Sequence, residues 1–336
     1  MFLLKIIIKI MVLALIIAFW VVVFYFLLGF PKQAEKIRWG VSFSQLHAQN
    51  LGLDWKQAYL AILDDLKARE IRIGTHWDLL EPKEGEFNFS DLDWQIDEAE
   101  KRNAKIILVF GLKTPRWPEC HVPTWASNIS QEKLGEYVLK LVEEVVKRYE
   151  GKNSIWAWQV ENEPFFGFGN CPKTDNNLLK KEIDLTKSLD FRKRPVIITD
   201  TGEFSLWFRP AGLGDIVGVT MYKKVWSNEW KMYFSVPLPS AFYWRKANLV
   251  KRVFNKDVIC VELQAEPWVP NQLYTSTVEE EMKTMDFSQF KYNIEFAKKT
   301  GLDSFYLWGA EWWYQMKEKQ NMPEFWDEAK KLFTNE

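Results

Sequence analysis

Two glutamates stand out by where they fall. Glu163 lies in the run Val160-Glu161-Asn162-Glu163-Pro164, directly behind the apolar stretch 155–160, and Glu262 follows the apolar stretch 257–261. Two opposed carboxyl groups can divide one reaction between them. The ionised one attacks an electrophilic carbon, while the protonated one gives its proton to the departing oxygen and later takes one from water. Mutual repulsion and unequal solvation are what separate their proton affinities. Neighbours compete for both roles: Glu161 lies two residues before Glu163, and Glu266 four residues beyond Glu262. A lone glutamate at a strand end is usually a surface or salt-bridged residue. Asn-Glu-Pro directly behind an apolar strand is a narrower pattern.

Such a pair works only if the chain brings both glutamates to one place. Short apolar runs rich in Val and Ile predict strands at 38–43, 71–75, 105–110, 155–160, 195–199, 215–220, 257–261 and 304–307. Helical patterns alternate with them. Asp54 is a predicted N-cap, with Tyr59, Leu60, Leu63 and Leu66 on one face behind it. Ser90 opens a second helix, 131–149 forms a third and 287–299 a seventh, followed by Gly301 as a helix stop. Alternating strand and helix argues for a parallel sheet with helical crossovers, and eight strands are what a closed (β/α)8 TIM barrel needs. Reactive groups in that α/β fold gather at the C-terminal ends of the strands. Both glutamates sit there, on the fourth and seventh strands, roughly across the mouth from each other. The 336 residues, 47% of them hydrophobic, suffice for one such barrel at 37–336.

Residues 10–30 form an uninterrupted uncharged run, long enough as a helix to span a bilayer's hydrocarbon. Its end, Phe-Leu-Leu-Gly-Phe-Pro, offers no small-x-small cleavage site, which predicts an uncleaved signal anchor or transmembrane helix over 1–30 and a linker at 31–36. A secreted protein with that segment removed is the alternative. Lys5 and Lys9 favour an N-terminus inside, and an extracytoplasmic catalytic domain, although Lys32, Lys36 and Arg38 follow the helix closely. Cys120 and Cys171 fall in predicted loops on one face, and Cys260 in a predicted buried strand. A Cys120–Cys171 disulfide, permitted in an oxidising compartment, and two free thiols both stay open.

Without residues 1–30 the chain carries 42 basic and 45 acidic residues, so nothing in its charge points to nucleic acid. Its three histidines, at 47, 76 and 121, lack metal-ligand spacing, and no metal or other cofactor is expected. Aromatic residues make up 16% of the chain, including 18 Trp. Flat C–H faces of sugars pack on such rings, but most aromatics belong to cores. Trp39, Trp117, Trp226, Trp230, Trp268 and Trp312 are candidates for lining a cleft, with core packing expected for about half.

The segment WQVENEP resembles the fourth-strand signature of the clan A glycoside hydrolases, which include cellulase-like and β-galactosidase-like barrels. The likeness extends over residues 37–320, including the passage THWDLLEPKEGEFNFSDLDWQIDEAEKRNAKIILVFGLKTPRWP. It implies Glu163 as acid/base, Glu262 as nucleophile and Asn162 as a ligand of the sugar 2-hydroxyl. By the same likeness, Tyr222 hydrogen-bonds the nucleophile, Arg72 keeps it ionised, and Trp308 floors the sugar subsite. His76 and Trp77, at the second strand end, are candidate sugar contacts. One departure is Thr220, where many cellulase-like members carry histidine. The resemblance thus implies a retaining hydrolase of β-glycosidic bonds in an oligo- or polysaccharide. A non-catalytic carbohydrate-binding TIM barrel at the cell surface is the alternative; it would usually show a broken carboxylate pair. A metal-dependent hydrolase is disfavoured by the few histidines. For an aldolase, Lys113 and Lys223 are the nearest candidate lysines.

Overall fold

The computed structural model describes residues 2–172 and 175–334. Its strands in chain order are β1 (Arg38–Phe43), β2 (Glu70–Gly74), β3 (Lys105–Phe110), β4 (Ile155–Val160), β5 (Val196–Asp200), β6 (Ile216–Met221), β7 (Lys224–Ser227), β8 (Met232–Ser235), β9 (Asp257–Gln264) and β10 (Ser304–Trp308). Eight of them, all but β7 and β8, close into a parallel barrel in the order β1-β10-β9-β6-β5-β4-β3-β2. The fold is the (β/α)8 barrel that alternating strand and helix patterns predict. Every predicted strand occurs within a residue or so, except that β9 runs on to Gln264 and so carries Glu262 inside the strand. The antiparallel β7–β8 hairpin is an addition, formed within the long segment after β6.

The near-continuous apolar runs follow from burial on both faces. Ile107, Val109, Ala157, Ile197, Ile259, Val261 and Tyr306 fill the barrel interior. The opposite faces of the strands meet the helices in a second, larger cluster. Gly40 is required on β1, because a Cβ there would stand 2.6 Å from the Tyr306 ring and 2.7 Å from the Glu70 carbonyl.

The helices obey their local signals. Asp54 accepts from the amides of Lys56 and Gln57 at 3.0 and 3.3 Å, and Ser130 from that of Lys133 at 3.3 Å, as side-chain caps do. Ser90 opens helix Ser90–Lys101 as its first residue, and Asn88 accepts from both its amide and its hydroxyl. Phe2–Leu27 is one helix with no buried residue, long and apolar enough to cross a bilayer. Its C-terminal end rests on helix Ser240–Phe254: Phe26 meets Phe242 at 6.1 Å between centroids, and Arg245 lies 4.6 Å over Tyr25.

Candidate active site

The chain leaves β4 through a turn that breaks strand alternation. Glu161 and Glu163 both take positive φ, 60° and 42°. Left-handed backbone costs a residue with a Cβ about 1–3 kcal/mol, so it persists only where contacts enforce it. Here the Asn162 amide donates to the Lys113 carbonyl at 2.7 Å, the Glu163 amide to Thr199 Oγ1 at 2.7 Å, and Lys113 Nζ to the Glu163 carbonyl at 3.1 Å. The two glutamates are thereby sent to different places. Glu161 accepts from the amides of Leu112 and Lys113, each at 2.7 Å, and shares a buried hydrogen bond with Glu182. It clamps the loop after β3 and does not line the cleft. Glu163 does line it.

Glu262 reaches the same cleft, of about 620 Å³, from β9. Arg72 on β2 is buried, and besides two longer contacts of Nη1, to Ser42 Oγ and the Val261 carbonyl at 3.4 Å each, its guanidinium makes three short ones. Nη1 donates to Glu262 Oε1 at 2.9 Å, Nη2 to Asn162 Oδ1 at 2.8 Å and Nε to Gln159 Oε1 at 2.8 Å. The other carboxylate oxygen of Glu262 accepts from the Tyr222 hydroxyl at 2.8 Å. A buried carboxylate needs such a counter-charge and filled lone pairs to remain charged. Burial, and then the negative charge of Glu262, pushes the Tyr222 phenol well above its usual range, so it stays a donor.

Glu163 has the opposite surroundings. Its side-chain partner is the Thr220 hydroxyl, which donates to Oε1 at 3.0 Å. Burial first, then the charges of Glu262 and Glu119, raise its carboxyl well above the ordinary value. The two carboxyls thus sit in unequal surroundings, one against a guanidinium and a phenol, the other raised by burial and neighbouring negative charge, as paired-carboxylate chemistry requires. Thr220, the departure from the cellulase-like pattern, takes up a hydrogen bond to this acid.

Other predicted residues divide between the cleft and the protein interior. Asn162, Tyr222, Trp308, Trp117, Trp226 and Trp268 line the cleft with the two glutamates. The Trp308 ring is covered by the Arg116 guanidinium, 3.8 Å from its centroid. Arg116 in turn pairs with Glu266 and, at 3.4 Å, with Glu311. Burial alone would raise the Glu266 carboxyl, but Arg116 and His47 bring it down to about 2. Glu266 is thus the anion of an ion-pair cluster. His76 and Trp77 are not brought to the cleft. His76 lies tilted against His121, with ring centroids 4.1 Å apart, beside a separate depression, and Trp77 packs on Trp125 with its indole nitrogen donating to Glu81 at 2.8 Å. The strand-two end turns straight into helix Trp77–Leu80, which points Trp77 inward. Trp39 and Trp312 are core residues, and Trp230 is exposed on the β7–β8 connection. Lys113 and Lys223 spend their ammonium groups on backbone carbonyls.

Sequence reasoning did not single out Arg116, Glu119 or Glu203. All three line the cleft from loops after β3 and β5, where no strand end marks a residue. Cys120 and Cys171 are joined, with Cα atoms 5.3 Å apart, tying the loop that holds Arg116 and Glu119 to the segment after β4. Among the described residues no group of three or more His, Cys, Asp or Glu is arranged to hold a metal ion.

Barrel, strand-end motifs and sequence likeness together align the chain with the clan A glycoside hydrolases. Within that clan, residues 73–177 match the model of glycosyl hydrolase family 10, a stretch that includes Arg116, Glu119, Asn162 and Glu163. Over 99 residues the chain is 33% identical to endo-1,4-β-xylanase 2 of Claviceps purpurea, covering 29% of this chain and 28% of that protein. Over 121 residues it is 31% identical to endo-1,4-β-xylanase A of Phanerodontia chrysosporium, covering 32% and 26%. The chain thus spans little more than a quarter of these relatives. Among solved structures, xylanase 10B of Thermotoga maritima superposes with a TM-score of 0.56 at 14% identity, covering 88% of this chain and 95% of that one. The β-galactosidase of Rahnella sp. R3 gives 0.59 at 13% identity, covering 92% and 57%. These structural likenesses establish the shared fold.

Proposed function

We propose that this protein hydrolyses β-glycosidic bonds of an oligo- or polysaccharide with retention of configuration. The observation that carries the reading is the unequal treatment of the two carboxyls. Glu262 is gripped by Arg72 at 2.9 Å and Tyr222 at 2.8 Å, while Glu163 is raised by burial and by the charge of Glu262 itself. In the first step Glu163 protonates the departing oxygen as Glu262 attacks the anomeric carbon, leaving a glycosyl ester. That ester removes the charge on Glu262, one of the causes that kept Glu163 protonated, so Glu163 becomes the base for the attacking water. The relatives named as endo-1,4-β-xylanases make β-1,4-linked xylan the first polymer to try. We read Phe2–Leu27 as an uncleaved anchor that keeps the barrel outside the cytoplasmic membrane, where the Cys120–Cys171 bond can form.

The test is the full chain in detergent, assayed on aryl β-glycosides and xylan beside its Glu262→Gly variant, with and without azide. Turnover by the wild type, and rescue of the variant as an α-glycosyl azide, are expected. An inverted first product, seen by NMR, would overturn the role given to Glu262.

A further inference from the structure

The cleft has two unlike halves. Around Trp308 and the ends of β9 and β1 it is polar: Arg116 covers the Trp308 ring and pairs with Glu266, whose other oxygen lies 3.3 Å from His47. On the arc after β4, β5 and β6 it is aromatic. Phe166 and Phe168 lie nearly parallel with centroids 6.2 Å apart, and Phe204 continues the row 6.0 Å from Phe166. Trp117 and Trp268 close on Phe168 at 6.0 and 5.5 Å. All five rings line the cleft, and Phe204 is 79% exposed. Polar side chains of this arc are spent within the protein. Thr220 donates to Glu163, Asn228 accepts from the Trp226 indole at 3.0 Å, and Glu203 accepts from the Tyr222 amide at 3.2 Å and the Tyr243 hydroxyl at 2.8 Å. A row of open phenylalanines offers a ligand apolar area and no hydrogen bond. A sugar seated on it would lose water from its hydroxyls without replacement, whereas hydrocarbon loses nothing.

The position of the row names its occupant. Phe166 is fixed to the acid: its amide donates to the Glu163 carbonyl at 3.0 Å, and Lys113 Nζ donates to both the Glu163 and the Phe166 carbonyls, at 3.1 and 2.9 Å. Glu163 protonates the departing oxygen, so the group that lies on the rings beyond it is the leaving group. Helix Ser240–Phe254 follows β6 on this side of the barrel, and the end of Phe2–Leu27 rests on it through Phe26 and Phe242. The aromatic row thus lies on the same flank as the helix long enough to enter a bilayer.

We infer that the row Phe166, Phe168 and Phe204 is a site for a hydrocarbon leaving group, so that the bond cut is the one joining the glycan to an apolar chain or ring. The inference rests on the hydrolase reading above and names its leaving group. Its test uses the full chain in lipid nanodiscs, with methyl, butyl and octyl β-glycosides of xylose, glucose and galactose below their micelle-forming concentrations. Phenyl and 2-naphthyl β-glycosides form a second arm, and the β-1,4-linked disaccharides of the same sugars a third. Each methylene withdrawn from water is worth roughly fourfold, so even a partly seated octyl chain should raise wild-type kcat/KM about tenfold or more over methyl. Phe204→Ala and Phe166→Ala should shrink that ratio severalfold, and Phe204→Leu, which stays apolar, should restore most of it. Damage to the fold would lower octyl and methyl together and leave the ratio alone. A gain along the alkyl arm assigns the site to a lipid chain, and a gain from phenyl to 2-naphthyl alone assigns it to an aromatic ring. Disaccharides cleaved with no gain along either arm, or a gain that survives both alanine variants, overturn the inference and leave the hydrolase reading intact. A folded wild type that cleaves no glycoside of any kind defeats both.

Discussion

Replacing Arg72 by lysine keeps a positive charge on β2 but removes the planar fork. The arginine holds Glu262, Asn162 and Gln159 with three different nitrogens at 2.8–2.9 Å, and a lysine ammonium can recover one of these contacts at a time. Arg72 and Glu262 are both buried, so water cannot make good the loss. Breaking a buried pair by removing one partner costs about 3–5 kcal/mol. Arg72→Met meets that in full, and at about 1.4 kcal/mol per tenfold this is a loss of roughly two to three and a half decades in kcat/KM. Arg72→Lys, with charge retained, should lose about 2–3 kcal/mol, or roughly 30- to 150-fold. The assay is kcat/KM on an activated aryl β-glycoside, with circular dichroism and thermal melts on each variant. Since the arginine serves the attacking carboxylate, the loss should fall on kcat more than on KM. A folded Arg72→Met protein keeping more than a tenth of wild-type kcat/KM would refute the reasoning.

Three further outcomes follow from the same geometry. Activity should fall on the alkaline side as Glu163 loses its proton; the Thr220 hydroxyl favours the ionised form, so Thr220→Val should move that limb to higher pH, and a move to lower pH would contradict the contact. The Cys120–Cys171 bond spans a sequence separation of 51, which chain entropy values at about 4 kcal/mol, so Cys171→Ser should melt well below wild type, and equal melting points would count against the bond. His76→Ala should leave KM unchanged while lowering the melting temperature, because its ring packs against His121 outside the cleft; a large rise in KM would put it back among the sugar contacts.

The strands were legible because a parallel barrel buries both strand faces, and that demand writes unbroken Val and Ile runs into the chain. Glu163 and Glu262 were legible for a related reason: each follows such a run, so its position at the barrel mouth is fixed by the strand behind it. Glu161 against Glu163 was not decidable by alternation, because both residues are themselves left-handed and side-chain direction no longer follows a period of two. His76 and Trp77 were placed by strand register, yet helix Trp77–Leu80 starts at once and turns them away. Arg116 and Glu119 left no trace, since a cross-link between distant loops, and not a local pattern, sets where they stand. The β7–β8 hairpin hides in a stretch that composition marks only as long.

Glu161 and Glu182 form a buried acid pair, each pushed upward first by burial, and for Glu182 next by the charge of its partner. The pair is comfortable only while it keeps a proton. Strong alkali that strips it would set two anions against each other behind the barrel wall, where Glu161 grips Leu112 and Lys113. The loop freed by that repulsion carries Arg116 and Glu119 into the cleft. Failure at high pH would then have a mechanical component, slow to reverse and insensitive to substrate, on top of the rapid titration of Glu163. Restoring neutral pH after a brief alkaline pulse and after a long one would separate the two.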